Sequence, residues 1–395
     1  MLERPISKAG WTRVRFDQIA TQINDRVDNP AEAGVERYVG LEHLDPDSLH
    51  IRRWGEPTDV ESTKLRFQPG DIIFGKRRVY QRKVAVADFE GICSAHAMVL
   101  RAKSDAVLPE FLPFFMQSDM FMERALSISV GSLSPTINWK TLAAEEFLLP
   151  PLPAQARLVE IFLSTVRYSE SLFKLARKAE ALFIALAENL LNSPSIPKLK
   201  LSEVVDYASD GPFGSKLKTE HYSASGVRVI RLNNIAPNIF LNDDKAYIPL
   251  SYFHTDLERY EVRPGDIVIA GLGDDEIPPG RSCVVPTDLG PSINKADCFC
   301  LRVNSRMDAR YLSFFLNSPM GLSQSKEFSQ GTTRIRLNLE NIKRFNVPVP
   351  NGYEQVEIVE KLDDAYSAWT GVLERVAKAS ELQKFMVNSQ LSMQQ

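Results

Sequence analysis

Four cysteines in 395 residues (Cys93, Cys283, Cys298 and Cys300) include no CxxC pair, and no histidine stands behind them at zinc spacing. That pattern excludes a disulfide framework and a zinc ribbon, and it predicts buried free thiols in a reducing compartment. The five histidines (His43, His50, His96, His221 and His254) are scattered, as turn or core residues are. No run of about 18 uncharged apolar residues occurs. The start, Met1-Leu2-Glu3-Arg4-Pro5, lacks the apolar core of a secretory signal, so the expected location is the cytoplasm. Sequence motifs of catalysis are missing too: there is no HExxH, no GxSxG, no Asp/Asn-Pro-Pro-Tyr/Phe and no GxGxxG opening a helix. No glutamate is followed two positions later by lysine, so the ExK half of a metal-dependent nuclease site is absent. Gly70-Asp71-Ile72-Ile73-Phe74-Gly75-Lys76-Arg77 approaches a phosphate loop, but it lacks the hydroxyl that would hold magnesium and its middle reads as a strand. With nucleophile, base and metal cluster all unidentified, the chain reads as a binding protein rather than an enzyme. A net charge of −3 disfavours a protein that coats nucleic acid nonspecifically. It leaves room for local basic surfaces, because phosphate contacts act within a Debye length of about 8–10 Å.

What is present is one unit written twice. Trp11–Phe16 alternates like a first strand and leads into a short helix at Asp17–Ala20. Tyr38–Leu44 is a strand and turn, and Phe67-Gln68-Pro69-Gly70-Asp71 turns into a further strand. Val84–Val86 and Ala97–Leu100 add strands, Pro109–Met122 reads as one helix, and Gly131–Asn138 is a loop rich in glycine and hydroxyls. The order then recurs. Ile196–Leu201, Val229–Ile235, Arg263-Pro264-Gly265-Asp266, Tyr311–Ser318 and Gly331–Arg334 match the earlier landmarks. Gly131 and Gly331, like Gln155 and Gln355, lie 200 positions apart, whereas Asp71 and Asp266 lie 195 apart. This is a duplication with small insertions.

Each copy ends in a long helical stretch. In the first, apolar residues fall at Leu158, Ile161/Phe162, Thr165, Leu172, Leu175/Ala176, Ala179, Leu182/Phe183, Leu186 and Leu190. In the second they fall at Val356, Val359, Leu362, Tyr366, Trp369, Leu373, Val376 and Met386, with Gly371 as a weak point. Three-and-four spacing puts one apolar stripe on each helix. Asn351 can cap the second, with Glu354 reaching back. Helices of roughly 38 residues extend about 55 Å, too far for one small domain to cover, so each is expected to pack on the other. The predicted architecture is α/β (α+β): a domain over 1–151, a spacer helix over 152–193, a second domain over 194–350 and a second helix over 351–395. The two helices are expected to run antiparallel as a coiled coil with pseudo-twofold symmetry.

Candidate contacts to nucleic acid follow from local charge. Lys76, Arg77, Arg78, Arg82 and Lys83 interleave with Tyr80 and Gln81. Cations hold phosphates, while Arg and Gln also pair bidentately with purine edges; a solvated basic hairpin is the alternative. The glycine loop adds Ser132, Ser134 and Thr136 as neutral donors. In the second copy the counterpart of the basic run, Gly271–Glu276, is acidic. That domain instead offers Lys216 and Lys218 after Gly211-Pro212-Phe213, and Thr332, Thr333, Arg334 and Arg336. Divergence on a shared frame suits the reading of two sequences, and neutral drift also produces it.

The order of parts, repeated twice, resembles the specificity subunit of type I restriction-modification systems over nearly the whole chain. The segments that carry the resemblance are Tyr38-Val39-Gly40-Leu41-Glu42-His43, Pro69–Lys76 and Leu149-Pro150-Pro151-Leu152-Pro153-Ala154-Gln155, each with a degenerate second copy. The second copy departs from the pattern at Gly352-Tyr353-Glu354-Gln355, which has lost its proline. The resemblance implies a non-catalytic subunit in which two target-recognition domains each read half of a split site in double-stranded DNA. It also implies two docked methylation subunits that use S-adenosylmethionine to methylate adenine N6, and restriction subunits that use ATP and magnesium. No cofactor is expected in this chain. A stand-alone bipartite DNA-binding adaptor and a DNA-free coiled-coil scaffold are the competing expectations.

Overall fold

The computed structural model describes residues 10–391 apart from 104, 275, 276, 332 and 333. Contacts divide the chain into two compact units, Met1–Lys174 with Leu373–Gln395, and Leu175–Val372. The boundaries fall inside two helices of 40 residues, Leu152–Leu191 and Gly352–Leu391. Each unit therefore holds one globular domain, part of one long helix and the complementary part of the other. Among the described residues no helix is long and apolar enough to cross a membrane.

In the first unit Thr12–Arg15 pairs antiparallel with Glu146–Leu149, which ties the start of the domain to its end. One four-stranded antiparallel sheet runs Ala20–Ile23, Ala97–Ala102, Ile72–Gly75, Val84–Val86. A second runs Arg26–Val27, Lys64–Phe67, Gly91–Ser94, Tyr38–Val39, its last pair parallel. The other unit repeats this frame. Lys198–Lys200 pairs with Asn346–Pro348. One sheet runs Val205–Ser209, Cys298–Val303, Ile267–Ala270, Ser282–Val284, and the parallel pair is Val227–Ile230 with Ser292–Asn294. The extra edge strand differs: Arg26–Val27 flanks the second sheet on one side, and Tyr247–Ile248 flanks its counterpart on the other.

The same polar contacts hold both copies. Gly70 (φ +88°) and Gly265 (φ +86°) supply the left-handed turn that a side chain would resist. The aspartate that follows each is buried. Asp71 accepts from Gln68 N–H and from Arg101 at 2.7 and 3.0 Å. Asp266 accepts from Arg263 N–H and from Arg302 at 2.8 and 2.7 Å. Two fork-like guanidinium contacts satisfy a carboxylate that burial would otherwise make costly. The stretch read as one helix over Pro109–Met122 is two, Phe111–Gln117 and Asp119–Ser127. Ser118 breaks it by leaving the helical conformation and capping the second helix through Phe121 N–H, as Ser318 does through Gly321 N–H.

The long helices close each core. Leu158, Phe162 and Val166 of the first helix and Val387 and Leu391 of the second join Phe16, Phe74, Phe115, Phe121 and Phe147 in one cluster. In the other unit Ala187 and Leu191 meet Leu362 and Tyr366 around Tyr311, Phe315 and Phe345. There Phe183 stacks on Trp369 at 5.7 Å and tilts against Tyr366 at 5.3 Å. The second helix opens on the expected capping box, with Asn351 Oδ1 accepting Glu354 N–H and Glu354 reaching back to Asn351 N–H. Val356 and Leu373, expected on the buried stripe, are exposed. In the second unit Ile358, Leu362 and Tyr366 are the buried residues that this helix gives to the core.

Gln155 and Gln355 join each helix to its domain. Gln155 is buried; its Oε1 accepts Leu108 N–H at 2.9 Å and its Nε2 donates to the carbonyls of Pro150 (2.9 Å) and Ala106 (3.3 Å). Gln355 repeats this with Asp308 N–H (2.6 Å), Pro350 (2.9 Å) and Arg306 (2.8 Å). Replacing Gln155 by leucine leaves those buried groups unpaired. It should lower the unfolding free energy by roughly 1–3 kcal/mol. Urea titration of the variant checks this; a loss below about 0.5 kcal/mol would mean the amide contributes little.

Candidate nucleic-acid interface

The basic run of the first unit is the loop of a β-hairpin, joining the antiparallel strands Ile72–Gly75 and Val84–Val86. A 3₁₀ turn, Val79–Gln81, lies between Arg78 (φ +58°) and Arg82 (φ +53°), both left-handed. This kink sends neighbouring side chains to different places. Arg82 turns inward: it donates to Asp47 (2.6 Å), to the Gln117 carbonyl (2.6 Å) and to Asp119 (2.9 Å). Asp47 also faces Lys384 (3.4 Å), and Asp119 exchanges hydrogen bonds with Asn388. Arg82 thus belongs to the seam that seats the end of the second long helix. Lys83 donates to the Leu41 carbonyl at 2.6 Å, and its counterpart Arg281 donates to the carbonyls of Leu232 and Ile235. Arg82 and Lys83 are half-buried, their charged ends tied to carbonyls and carboxylates of the domain.

Lys76, Arg77, Arg78, Tyr80 and Gln81 remain, and the fold brings the glycine loop to them. Arg77 forms a bridge with Thr136, Arg78 N–H donates to the Pro135 carbonyl at 2.7 Å, and Ile137 N–H donates to the Lys76 carbonyl at 3.0 Å. Arg78 Nε reaches Ser134 Oγ at 3.3 Å, and Thr136 Oγ1 donates to the Ser134 carbonyl at 3.1 Å. Ser132 is exposed. Two stretches over fifty residues apart thus form one surface. Arg77 also donates to His96 Nε2 at 3.1 Å. Burial first, then the charges of Arg77, Lys76 and Lys64, hold the His96 imidazole below its ordinary value, so it stays neutral and accepts. Burial likewise lowers the Lys76 ammonium. His96, Val130 and Leu133 escaped the sequence reading. The glycine and proline flanking an apolar residue in a hydroxyl-rich loop were the available signal for Leu133.

The second unit keeps the frame and changes the chemistry. Gly271 replaces Lys76, accepting Leu337 N–H at 2.8 Å, and Leu272–Gly273 pairs with Ile335–Arg336. Arg334 and Arg336 are exposed, and Arg336 is held by Asp297 at 3.2 Å. Thr332 and Thr333, and Asp275 and Glu276 of the acidic stretch, lie outside the described residues. Asp210 accepts from Gly211 N–H (2.7 Å) and Asp297 N–H (3.2 Å), and burial pushes its carboxyl up to about 6. Lys216 and Lys218 are exposed beside Phe213, with Lys218 3.7 Å from Glu220. Among the described residues no hydrogen bond or strand pairing joins these lysines to Arg334 and the Ile335–Arg336 strand.

Among the described residues no three histidine, cysteine or acidic side chains group to hold a metal. All four thiols are free and buried, and burial pushes those of Cys93, Cys283 and Cys298 up to about 12.

Residues 58–180 and 279–379, one stretch in each copy and together more than half of the chain, match the family model for the type I restriction modification DNA specificity domain. The chain belongs to that family. Both stretches end inside a long helix, so the specificity-domain match follows the duplication. The type I restriction enzyme EcoDI specificity subunit of Escherichia coli is 31% identical over 198 residues, 48% of this chain and 42% of that one. The StySPI specificity subunit of Salmonella potsdam is 27% identical over 135 residues, 34% of this chain and 28% of that one. The matches thus span less than half the length of either relative. Among solved structures, the S subunit of a type I restriction-modification system from M. genitalium aligns over all of both chains (TM-score 0.55, 13% identity). A chain from a structure describing complex assembly and conformational transition of the type I R-M system aligns over 98% of each (TM-score 0.57, 19% identity). At such identities the likeness establishes the specificity-subunit fold.

Two arginines four positions apart should behave oppositely. Arg82→Ala breaks a partly buried charged network and should lower the unfolding free energy by roughly 1–3 kcal/mol. Arg78→Ala, at an exposed side chain, should change it by less than about 0.5 kcal/mol. Thermal melts of both variants check the assignment.

Proposed function

We propose that this chain is the non-catalytic DNA-recognition subunit of a type I restriction-modification complex, each unit reading one half of a split target in double-stranded DNA. The observation that carries this is the joined surface of Arg77, Arg78, Tyr80, Gln81, Ser132 and Ser134 in the first unit. Cations there meet phosphates, while the Ser132 hydroxyl and the Gln81 amide address phosphates or base edges. The second unit grips through Lys216, Lys218, Arg334 and Arg336 on the same frame, so the two half-sites differ. The long helices set the number of base pairs between them. Tyr168, Leu382 and Phe385 in the first unit and Leu182 and Ile184 in the second are exposed apolar side chains on those helices. They fit protein partners, two methylation subunits with restriction subunits in the full complex. S-adenosylmethionine, ATP and magnesium would be held by those partners.

Arg77→Ala combined with Arg78→Ala tests the reading. Each phosphate contact removed should flatten the slope of log affinity against log salt by about 0.9, so the double variant should lose close to two units of slope and bind more weakly at 0.1 M salt. An unchanged slope would place this surface away from DNA.

A further inference from the structure

We propose that Leu133 is an apolar wedge that enters the DNA at one base step of the half-site read by the first unit. The inference rests on the DNA-recognition reading above and assigns a residue outside the cationic set. Leu133 is 91% exposed at the apex of the glycine loop. The ends of the loop are braced: Val130 and Thr136 exchange backbone hydrogen bonds at 3.0 Å, Arg78 N–H holds the Pro135 carbonyl, and Gly131 (φ +114°) makes the corner. The braced base holds the apex out from the domain, with Leu133 on it.

A single exposed leucine is ordinary on a protein surface. Here it has company. Val130 is 74% exposed in the same loop, and Tyr80, 53% exposed, follows Arg78 in the adjoining turn. Three apolar groups thus stand among Arg77, Arg78 and Ser134. Cations and hydroxyls suffice to hold a phosphate backbone, so an apolar tip between them gains only where it reaches bases. Leucine is among the side chains that unstack base steps when arginines hold the flanking phosphates, at a cost that pyrimidine–purine steps keep low. In the register of the duplication Leu133 answers Thr333, a hydroxyl residue, so the wedge belongs to one half-site only.

The test uses the full chain and a randomised duplex library. Duplexes enriched by the unaltered chain are resynthesised with 2-aminopurine walked through each position, and fluorescence reports unstacking. One step in one half-site should brighten. Leu133→Ala should abolish that signal and weaken binding to the enriched duplex about tenfold, the loss of one base-step contact, with the salt slope unchanged. Leu133→Phe should keep both. If no step brightens, or Leu133→Ala leaves the signal in place, while Arg77→Ala with Arg78→Ala still flattens the slope, the wedge is wrong and the recognition surface stands. If the arginine pair has no effect either, or no duplex is enriched at all, both fall.

Discussion

Both long helices carry an apolar stripe along about 60 Å of rod, 40 residues at 1.5 Å each, and water tolerates no such stripe uncovered. Each domain core covers part of two stripes. Leu158, Phe162 and Val166 enter the first core and Ala187 and Leu191 the second, while Leu362 and Tyr366 enter the second and Val387 and Leu391 the first. Neither domain closes its core with its own helix alone. Duplication solves a packing problem in this way, because each copy supplies what the other lacks.

Around that constraint the frame is conserved in chemistry where it is internal. The buried Gln155 and Gln355, the Asp71–Arg101 and Asp266–Arg302 pairs, and the serine caps at 118 and 318 recur with the same partners. All are polar groups that burial obliges to find hydrogen bonds, so the two copies keep them together. At the surface no such obligation holds. There His96 of one copy, paired with Arg77, has its place taken by Asp297 holding Arg336 in the other. The candidate surfaces can diverge because the frame beneath them does not depend on them.

Much of this was legible in the sequence. Apolar spacing identified both long helices, and Pro-Gly-Asp identified the turn and its strand in each copy, because local geometry determines both. Legibility ended where side-chain direction depends on distant residues. Lys76–Lys83 reads as one run of five cations. The left-handed turn at two arginines, which sterics disfavour outside glycine, divides it into an outward group and a structural pair, Arg82 and Lys83. The partners that hold Arg82, Asp47 and Asp119, become visible only once the chain is folded. The break at Ser118 did carry a signal, a capping serine, which the apolar run on either side masked.

In the proposed reading, one frame used twice with two surfaces addresses two separate pieces of DNA. Mapping N6-methyladenine across the host genome, with the gene intact and deleted, tests it most directly. Modified adenines are expected to vanish on deletion and to lie in a two-part motif whose dissimilar halves are separated by a fixed number of unspecified base pairs. A single uninterrupted motif, or a methylation pattern indifferent to the deletion, would contradict it.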